Sequence, residues 1–231
     1  MNEGMPPTIS IESDDFHNCW YMINKRIMSE GLYIYDCPAE EKLTKDVCAI
    51  ITLTGDAIKQ IENKELHTDC KLKSGLATYL QQFVYDSDEY KKSNNEQKYT
   101  YAGRMLWDVN YITKCEHESF MYDRGLQLTT WQKYSDLCSD TRPCLQRVWI
   151  RQLTDDTCEL HTTYRSHDAY GAWQFNNIGI YQFAKQYIIG KDVEVVKIVE
   201  FNDSLHIYDY DWDSAMNIRR DDAYIRRWKN E

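Results

Sequence analysis

The sequence predicts an α+β fold: a mixed β-sheet with flanking helices, built as a single domain over residues 1–231. Three observations lead there. Helical and strand periodicities follow one another irregularly, without the strict alternation of a parallel βαβ sheet. Hydrophobic residues make up 42% of the chain, with seven Trp and eighteen Tyr, enough for a sizeable core. The four Pro and nine Gly are scattered, and no repeat, linker or low-complexity tract marks a boundary.

Ser13-Asp14 is the expected cap of a helix in which Phe16, Trp20, Ile23, Ile27 and Met28 form a stripe at near-helical spacing, stopped by Gly31. The β-branched run Val47 to Leu53 reads as a buried strand, and Gly75 to Tyr85 as an amphipathic helix. Ser87 to Lys98 is polar and charged, hence an exposed loop. Asp108 to His117 follows as helix and Leu126 to Trp131 as strand. Leu145 to Leu153 and Cys158 to Arg165 are rich in aliphatic, aromatic and Thr residues. The turn-like Thr154-Asp155-Asp156-Thr157 between them predicts a hairpin. Asn176 to Ile189 carries Ile180, Phe183, Ala184 and Tyr187 on one face and ends at Gly190, so it predicts a helix. Val193 to Phe201 and Leu205 to Tyr208 are two further strands, and Asp211 to Arg220 a last helix.

A formal net charge of -10 opposes nonspecific nucleic-acid binding but not a small anion in a local basic pocket. Arg142, Arg147, Arg151 and Arg165 do gather in one stretch, although Arg147 and Arg151 equally fit a solvated strand face paired with Asp155-Asp156. The N-terminus lacks the basic and apolar regions of a signal peptide, and no run approaches the roughly 20 apolar residues of a membrane helix. Eight cysteines without a secretory signal or a CxxC pattern read as free thiols in a cytoplasmic protein, with no metal site.

Cys144, after Pro143 and close to Arg142, is the candidate nucleophile, since neighbouring cations favour the thiolate. The plain alternative is a small buried hydrophobe. Arg165-Ser166 offers a bidentate fork and a hydroxyl suited to phosphate; the alternative is an ion pair with Asp168. Asn176 is either a helix N-cap or a reader of uracil, because one carboxamide donates to O4 and accepts from N3–H. Asn177 competes for that role, and His167, His117 and His161 read as structural.

These residues resemble the thymidylate synthase family and its relatives the pyrimidine-nucleotide hydroxymethylases. Arg165-Ser166-His167-Asp168 followed by Asn176 is similar to the family's R-S-x-D…N block. Pro143-Cys144 looks like its nucleophile element, and His206-Ile207-Tyr208, with Asp203 before it, like its His-x-Tyr element. Pro143-Cys144-Leu145-Gln146 and Ala172-Trp173 look more like the short archaeal branch. A weaker likeness joins Tyr99 to Arg104 to the family's Tyr-Gly-x-Arg stretch. The matching motifs lie between about residues 99 and 210.

The resemblance implies the thymidylate synthase-like fold, with a sheet face forming a homodimer interface. It implies C5 methylation of dUMP to dTMP using 5,10-methylenetetrahydrofolate, with a Cys144 thiolate adding to C6. Tyr101, through ordered water, is implied in removing the C5 proton, Asp168 in binding the pterin and the water network. Arg165 and Ser166 would hold phosphate, Asn176 the base, His206 and Tyr208 the sugar, and Arg124 the neighbouring subunit's phosphate. Neither nucleic acid nor membrane is an implied partner. The chain also departs from the pattern. The family's consecutive arginines become Asp123-Arg124-Gly125, with Arg142 or Arg147 as substitutes for the missing one. Tyr164 replaces a glutamine, Leu145 a histidine, and Ala172-Trp173-Gln174-Phe175 a Gly-x-Pro-Phe. Ile225 to Glu231 lacks the small apolar end that closes over folate, and the water-ordering glutamate has no evident counterpart. A hydroxymethylase and a silent nucleotide-binding relative therefore stand as alternatives.

Overall fold

The computed structural model describes residues 4–37, 42–71, 73–85, 99–114 and 124–220. The expected loop Ser87 to Lys98, His117 and the terminal segment from Ile225 fall outside them, as does Asp123. In chain order the elements are β1 (Thr8–Ser13), α1 (Phe16–Glu30), β2 (Leu32–Cys37), β3 (Lys42–Thr54), α2 (Asp56–Glu62), α3 (Leu76–Phe83) and α4 (Tyr101–Lys114). There follow β4 (Gln127–Thr129), α5 (Lys133–Asp136), β5 (Leu145–Thr154), β6 (Thr157–Tyr164), β7 (His167–Asp168), α6 (Trp173–Ala184), β8 (Glu194–Tyr208) and α7 (Trp212–Met216).

The strands form one mixed sheet in the order β1-β3-β8-β6-β5-β4, with β2 on β3 and β7 on β8. β8 is its centre: antiparallel to β3, and parallel to both β6 and β7. The β5–β6 hairpin turns at Asp155-Asp156 as the sequence predicts. A mixed sheet with flanking helices is thus the architecture.

Helix α1 buries Phe16, Trp20, Ile23 and Ile27 completely, the stripe read from the sequence. Its cap is Asp15 rather than Ser13-Asp14: Asp15 Oδ1 accepts the Asn18 N–H at 2.6 Å, while the Ser13 hydroxyl donates to the Asp15 carbonyl. α4 starts seven residues before its predicted beginning, because Thr100 caps it by accepting the Gly103 N–H at 2.9 Å. α6 starts at Trp173, with Ala172 at the cap position and no side-chain cap, and passes into a π-helical turn over Lys185–Ile189. Asn176 therefore sits a full turn inside the helix and is no N-cap. The two predicted strands at the end of the chain are one, β8, and the last helix shrinks to α7.

α6 covers the sheet face that carries Glu200 and Asn202, since Trp173 and Asn177 both donate to Glu200. The opposite face carries Arg147, Trp149, Arg151, Glu159, His161, Lys197 and Phe201. There Arg151 pairs with Glu159 at 2.5 Å and Lys197 with Glu159 at 2.9 Å. Arg151 is thus held by a strand residue, Glu159. Arg147 donates to Thr163 and Gln127 and belongs to the same face. The six described cysteines with assigned state are free thiols. No described helix is long and apolar enough to cross a membrane.

Candidate active site

A cavity of about 240 Å³ opens where β6 gives way to β7, beside the end of β8 and the start of α6. Its wall includes Tyr79 and Phe83 from α3, Tyr99 and Tyr101 at the start of α4, and Cys144 just before β5. Ser166, His167 and Asp168 enter from β7 and the bend before it, Asn176 from α6, and His206 and Tyr208 from β8. Elements far apart in sequence meet because β7 pairs in register with β8, Asp168 opposite His206. His206 and Tyr208, two residues apart on one strand, present the same face.

Cys144 is half-buried. The Arg165 Nη2 lies 4.0 Å from its Sγ, and positive charge beside sulfur stabilises the nucleophilic anion. Arg165 is held by the chain segment carrying that thiol: its Nε donates to the Pro143 carbonyl and its Nη2 to the Arg142 carbonyl, both at 3.0 Å. An Arg165–Asp168 ion pair is absent among the described residues; Asp168 Oδ1 instead accepts the N–H groups of Tyr170 and Gly171, at 3.1 and 2.9 Å. Gly171 makes this possible, since a Cβ there would stand 2.5 Å from Asp168 Oδ2. Burial in the wall raises the Asp168 carboxyl above its ordinary range, opposed by the Gly171 N–H and by His206.

The Tyr101 hydroxyl accepts two backbone N–H groups, from Cys144 at 3.1 Å and Leu145 at 3.3 Å, and so fixes the strand start that bears the thiol. Burial, then the neighbouring Cys144, push its phenol well above the tyrosine range, so it keeps its proton. Tyr99 is pushed up to about 12, mainly by burial, and lies over the Arg104 guanidinium at 4.1 Å. Arg104 itself grips Asp136 through both carboxylate oxygens, at 2.5 and 2.7 Å, and is structural.

On the far wall the Tyr79 hydroxyl donates to Asn176 Oδ1, and Asn176 Nδ2 lies 2.8 Å from His167 Nε2. His167 stacks on Tyr164, with centroids 3.8 Å apart. Asn177 points elsewhere, from its Nδ2 to Glu200 and the Trp173 carbonyl, which leaves Asn176 as the carboxamide on the cavity. His206 Nε2 is buried without a hydrogen-bond partner among the described residues, and its Nδ1 lies 3.5 Å from the Ser204 hydroxyl.

Cys144, Tyr101, Asp168, Ser166, Asn176, His206 and Tyr208 therefore share one cavity, and Arg165 stands against its sulfur. Arg124 is exposed in a left-handed turn (φ 66°) before β4 and does not line the cavity; neither does Arg147. Sequence reasoning missed Tyr79, Phe83 and His167. Tyr79 and Phe83 carry only the signal of an amphipathic helix, and His167 only its place inside the Arg-Ser-x-Asp block.

No family model matches the chain. It is similar to proteins named "Putative thymidylate synthase" in methanogenic archaea. One, from Methanothermobacter thermautotrophicus, is 24% identical over 220 residues, which cover 90% of this chain and 97% of the relative. The protein of that name from Methanothermobacter marburgensis is 24% identical over 90% of this chain and 96% of its own. A third, from Methanococcoides burtonii, is 30% identical over 128 residues, 52% of this chain and 58% of the relative. The likeness to the two Methanothermobacter proteins runs along nearly the whole chain.

Proposed function

We propose that this thymidylate synthase-like chain transfers a one-carbon unit to C5 of dUMP, yielding dTMP, through a Cys144 thiolate adduct at C6. The observation that carries the reading is the convergence, on one cavity, of a thiol beside a guanidinium, a buried carboxamide and an imidazole with an unpartnered ring nitrogen.

The Cys144 sulfur bonds to C6, the C5–C6 double bond opens, and the electron pair moves toward C5 and O4. Arg165 stabilises the thiolate before attack, and an Asn176 N–H supports charge developing on O4. Tyr101 remains a phenol, so the C5 proton passes to a water held against its hydroxyl rather than to a phenolate. Once that electron pair has bonded C5 to the one-carbon unit, loss of the C5 proton restores the C5–C6 double bond as the C6–S electrons leave with the Cys144 sulfur. Arg165 Nη1, which makes no hydrogen bond to the described residues, and the Ser166 hydroxyl bind phosphate; His206 Nε2 and Tyr208 bind the sugar hydroxyl.

The residues present fit a folate. Asp168 Oδ2 has no hydrogen bond from the described residues and suits pterin N–H donors, while Tyr79, Phe83, Tyr99 and Tyr208 supply aromatic walls for planar rings. When bound, methylenetetrahydrofolate supplies the one-carbon unit and the hydride. The sheet face bearing Trp149, His161 and Phe201 is the proposed homodimer surface, with Arg124 reaching the partner's phosphate site.

Mass spectrometry of the product from dUMP and methylenetetrahydrofolate tests the reaction. Thymidylate is expected. A hydroxymethyl nucleotide would mean that water rather than hydride adds to the transferred carbon, and bound but unreacted dUMP would overturn the enzymatic reading.

A further inference from the structure

Behind Asn176 lies a chain of buried polar groups that none of the steps above uses. It starts at Glu200, on the sheet face under α6. The Trp173 indole nitrogen, which can only donate, lies 2.9 Å from Glu200 Oε1. The Nδ2 groups of Asn202 and Asn177 donate to the same carboxylate, at 2.7 and 3.1 Å. Burial pulls Glu200 toward its neutral form, but hydrogen bonds from His167, Asn202 and Trp173 help to hold the carboxyl below its ordinary range. Glu200 is therefore an acceptor at each of these contacts.

That fixes the rest in sequence. With Nδ2 committed to Glu200, Asn202 turns Oδ1 toward His167 Nδ1, 3.0 Å away. Glu200 Oε1, also an acceptor, is 3.5 Å from the same nitrogen. Nδ1 must carry the hydrogen, so in the neutral ring Nε2 is an acceptor. Asn176 answers with Nδ2, at 2.8 Å, and its Oδ1 takes the Tyr79 hydroxyl hydrogen. One N–H and one lone pair of the carboxamide then remain for the cavity. In that orientation they match O4 and N3–H of uracil; the reversed carboxamide would match cytosine.

We infer that His167, its tautomer set by Asn202 and Glu200, locks the orientation of the Asn176 carboxamide and so determines the choice of uracil over cytosine. The inference rests on the proposed nucleotide site and makes His167 a positioning residue within it. His167 does not need to touch the base; it acts through Asn176. Asn202 is buried and does not line the cavity, yet it belongs to the same relay.

Binding of dUMP and dCMP to the full chain by calorimetry tests this, with His167→Phe and Asn202→Ala as variants. Phe keeps an aromatic ring against Tyr164 and removes the acceptor. The native protein should prefer dUMP. Both variants should lose that preference by roughly tenfold or more, dUMP weakening while dCMP does not. A purely structural loss would weaken both nucleotides together, and that result, or an unchanged ratio, overturns the inference. Where His167→Phe fails to fold, Asn202→Ala carries the comparison. Long-range nitrogen–proton NMR on the native protein reads the tautomer directly. Hydrogen on Nδ1 supports the relay and hydrogen on Nε2 overturns it. Binding of neither nucleotide by the native protein sinks the site reading and the inference with it. A dUMP preference that survives both variants sinks the inference alone.

Discussion

In the proposed reaction the reactivity of Cys144 rests on atoms contributed from two chain segments, the Arg165 guanidinium and the Tyr101 hydroxyl that anchors the thiol's own backbone. Cys144→Ser is expected to lower turnover by at least ~10³-fold, because a hydroxyl beside arginine does not become the anion that a thiol does. Its dUMP affinity, measured by calorimetry, should change only a few-fold; lost binding with intact turnover would contradict the assignment. Asn176→Asp should move preference from uracil toward cytosine nucleotides, read as the ratio of their binding constants. Most of these side chains are legible in the sequence because short spacings carry them: Pro-Cys, Arg-Ser-x-Asp and His-x-Tyr. His167 and Glu200 are not. A histidine facing a carboxamide nine residues away and a glutamate on another strand become partners only through the β6–β8 and β7–β8 pairings. The plain alternatives for Arg165 and Asn176 are local by nature, and they fail for the same reason. Arg165 finds backbone carbonyls rather than Asp168, and Asn176 is a turn too deep to cap.

Among the elements, the close packing of α3 on α6 gives the cavity its far wall. Phe83 lies over Gly179, where an added Cβ would meet the ring at 2.9 Å, and the Tyr79 hydroxyl reaches Asn176 one turn earlier along both helices. Gly179→Ala should push α3 outward, destabilise the protein by about 1–3 kcal/mol in denaturant titration, and weaken dUMP binding. On the other side, α4 and α5 are tied by the Arg104–Asp136 pair, with side chains only 10% and 1% exposed. Arg104→Met strands a buried carboxylate and should cost about 3–5 kcal/mol, against near-zero cost for Arg26→Met at the exposed Glu30 pair. Elements whose burial follows a simple period, α1 and the β5–β6 hairpin, are readable in advance. β8 is not, because Asn202-Asp203-Ser204 looks like a break between strands. In the fold two of these polar residues are satisfied inward, Asn202 by Glu200 and His167, Ser204 by Asp46, so the strand runs through. β1 does alternate, burying Ile9, Ile11 and Ser13, so it is legible though not anticipated, whereas α2 spans only about two turns.

At the scale of the whole molecule, buried ionisable groups set the pH limits of stability. Burial raises the phenols of Tyr101, Tyr164 and Tyr181 above their ordinary value, and takes Tyr99 to about 12. A raised folded-state value contributes stability that is complete below the unfolded value near ~10 and is lost as pH rises through the folded one. Asp136 has the opposite sign: the Arg104 bond lowers it, so its contribution is present above the unfolded value near ~3.9 and fades as pH falls through the folded one. Thermal melts should therefore show a plateau through neutral pH, with an alkaline fall that coincides with phenolate absorbance. An alkaline fall without phenolate formation would contradict the burial argument. The proposed dimer face belongs to this scale as well, and gel filtration giving a monomer alone would remove the proposed dimer. The most direct measurement of the central claim is tritium release from C5-labelled dUMP in the presence of methylenetetrahydrofolate. The account predicts release by the native chain and none by Cys144→Ser. A native protein that binds dUMP and folate but leaves the label in place, or a serine variant that releases it as fast, would contradict covalent attack by Cys144.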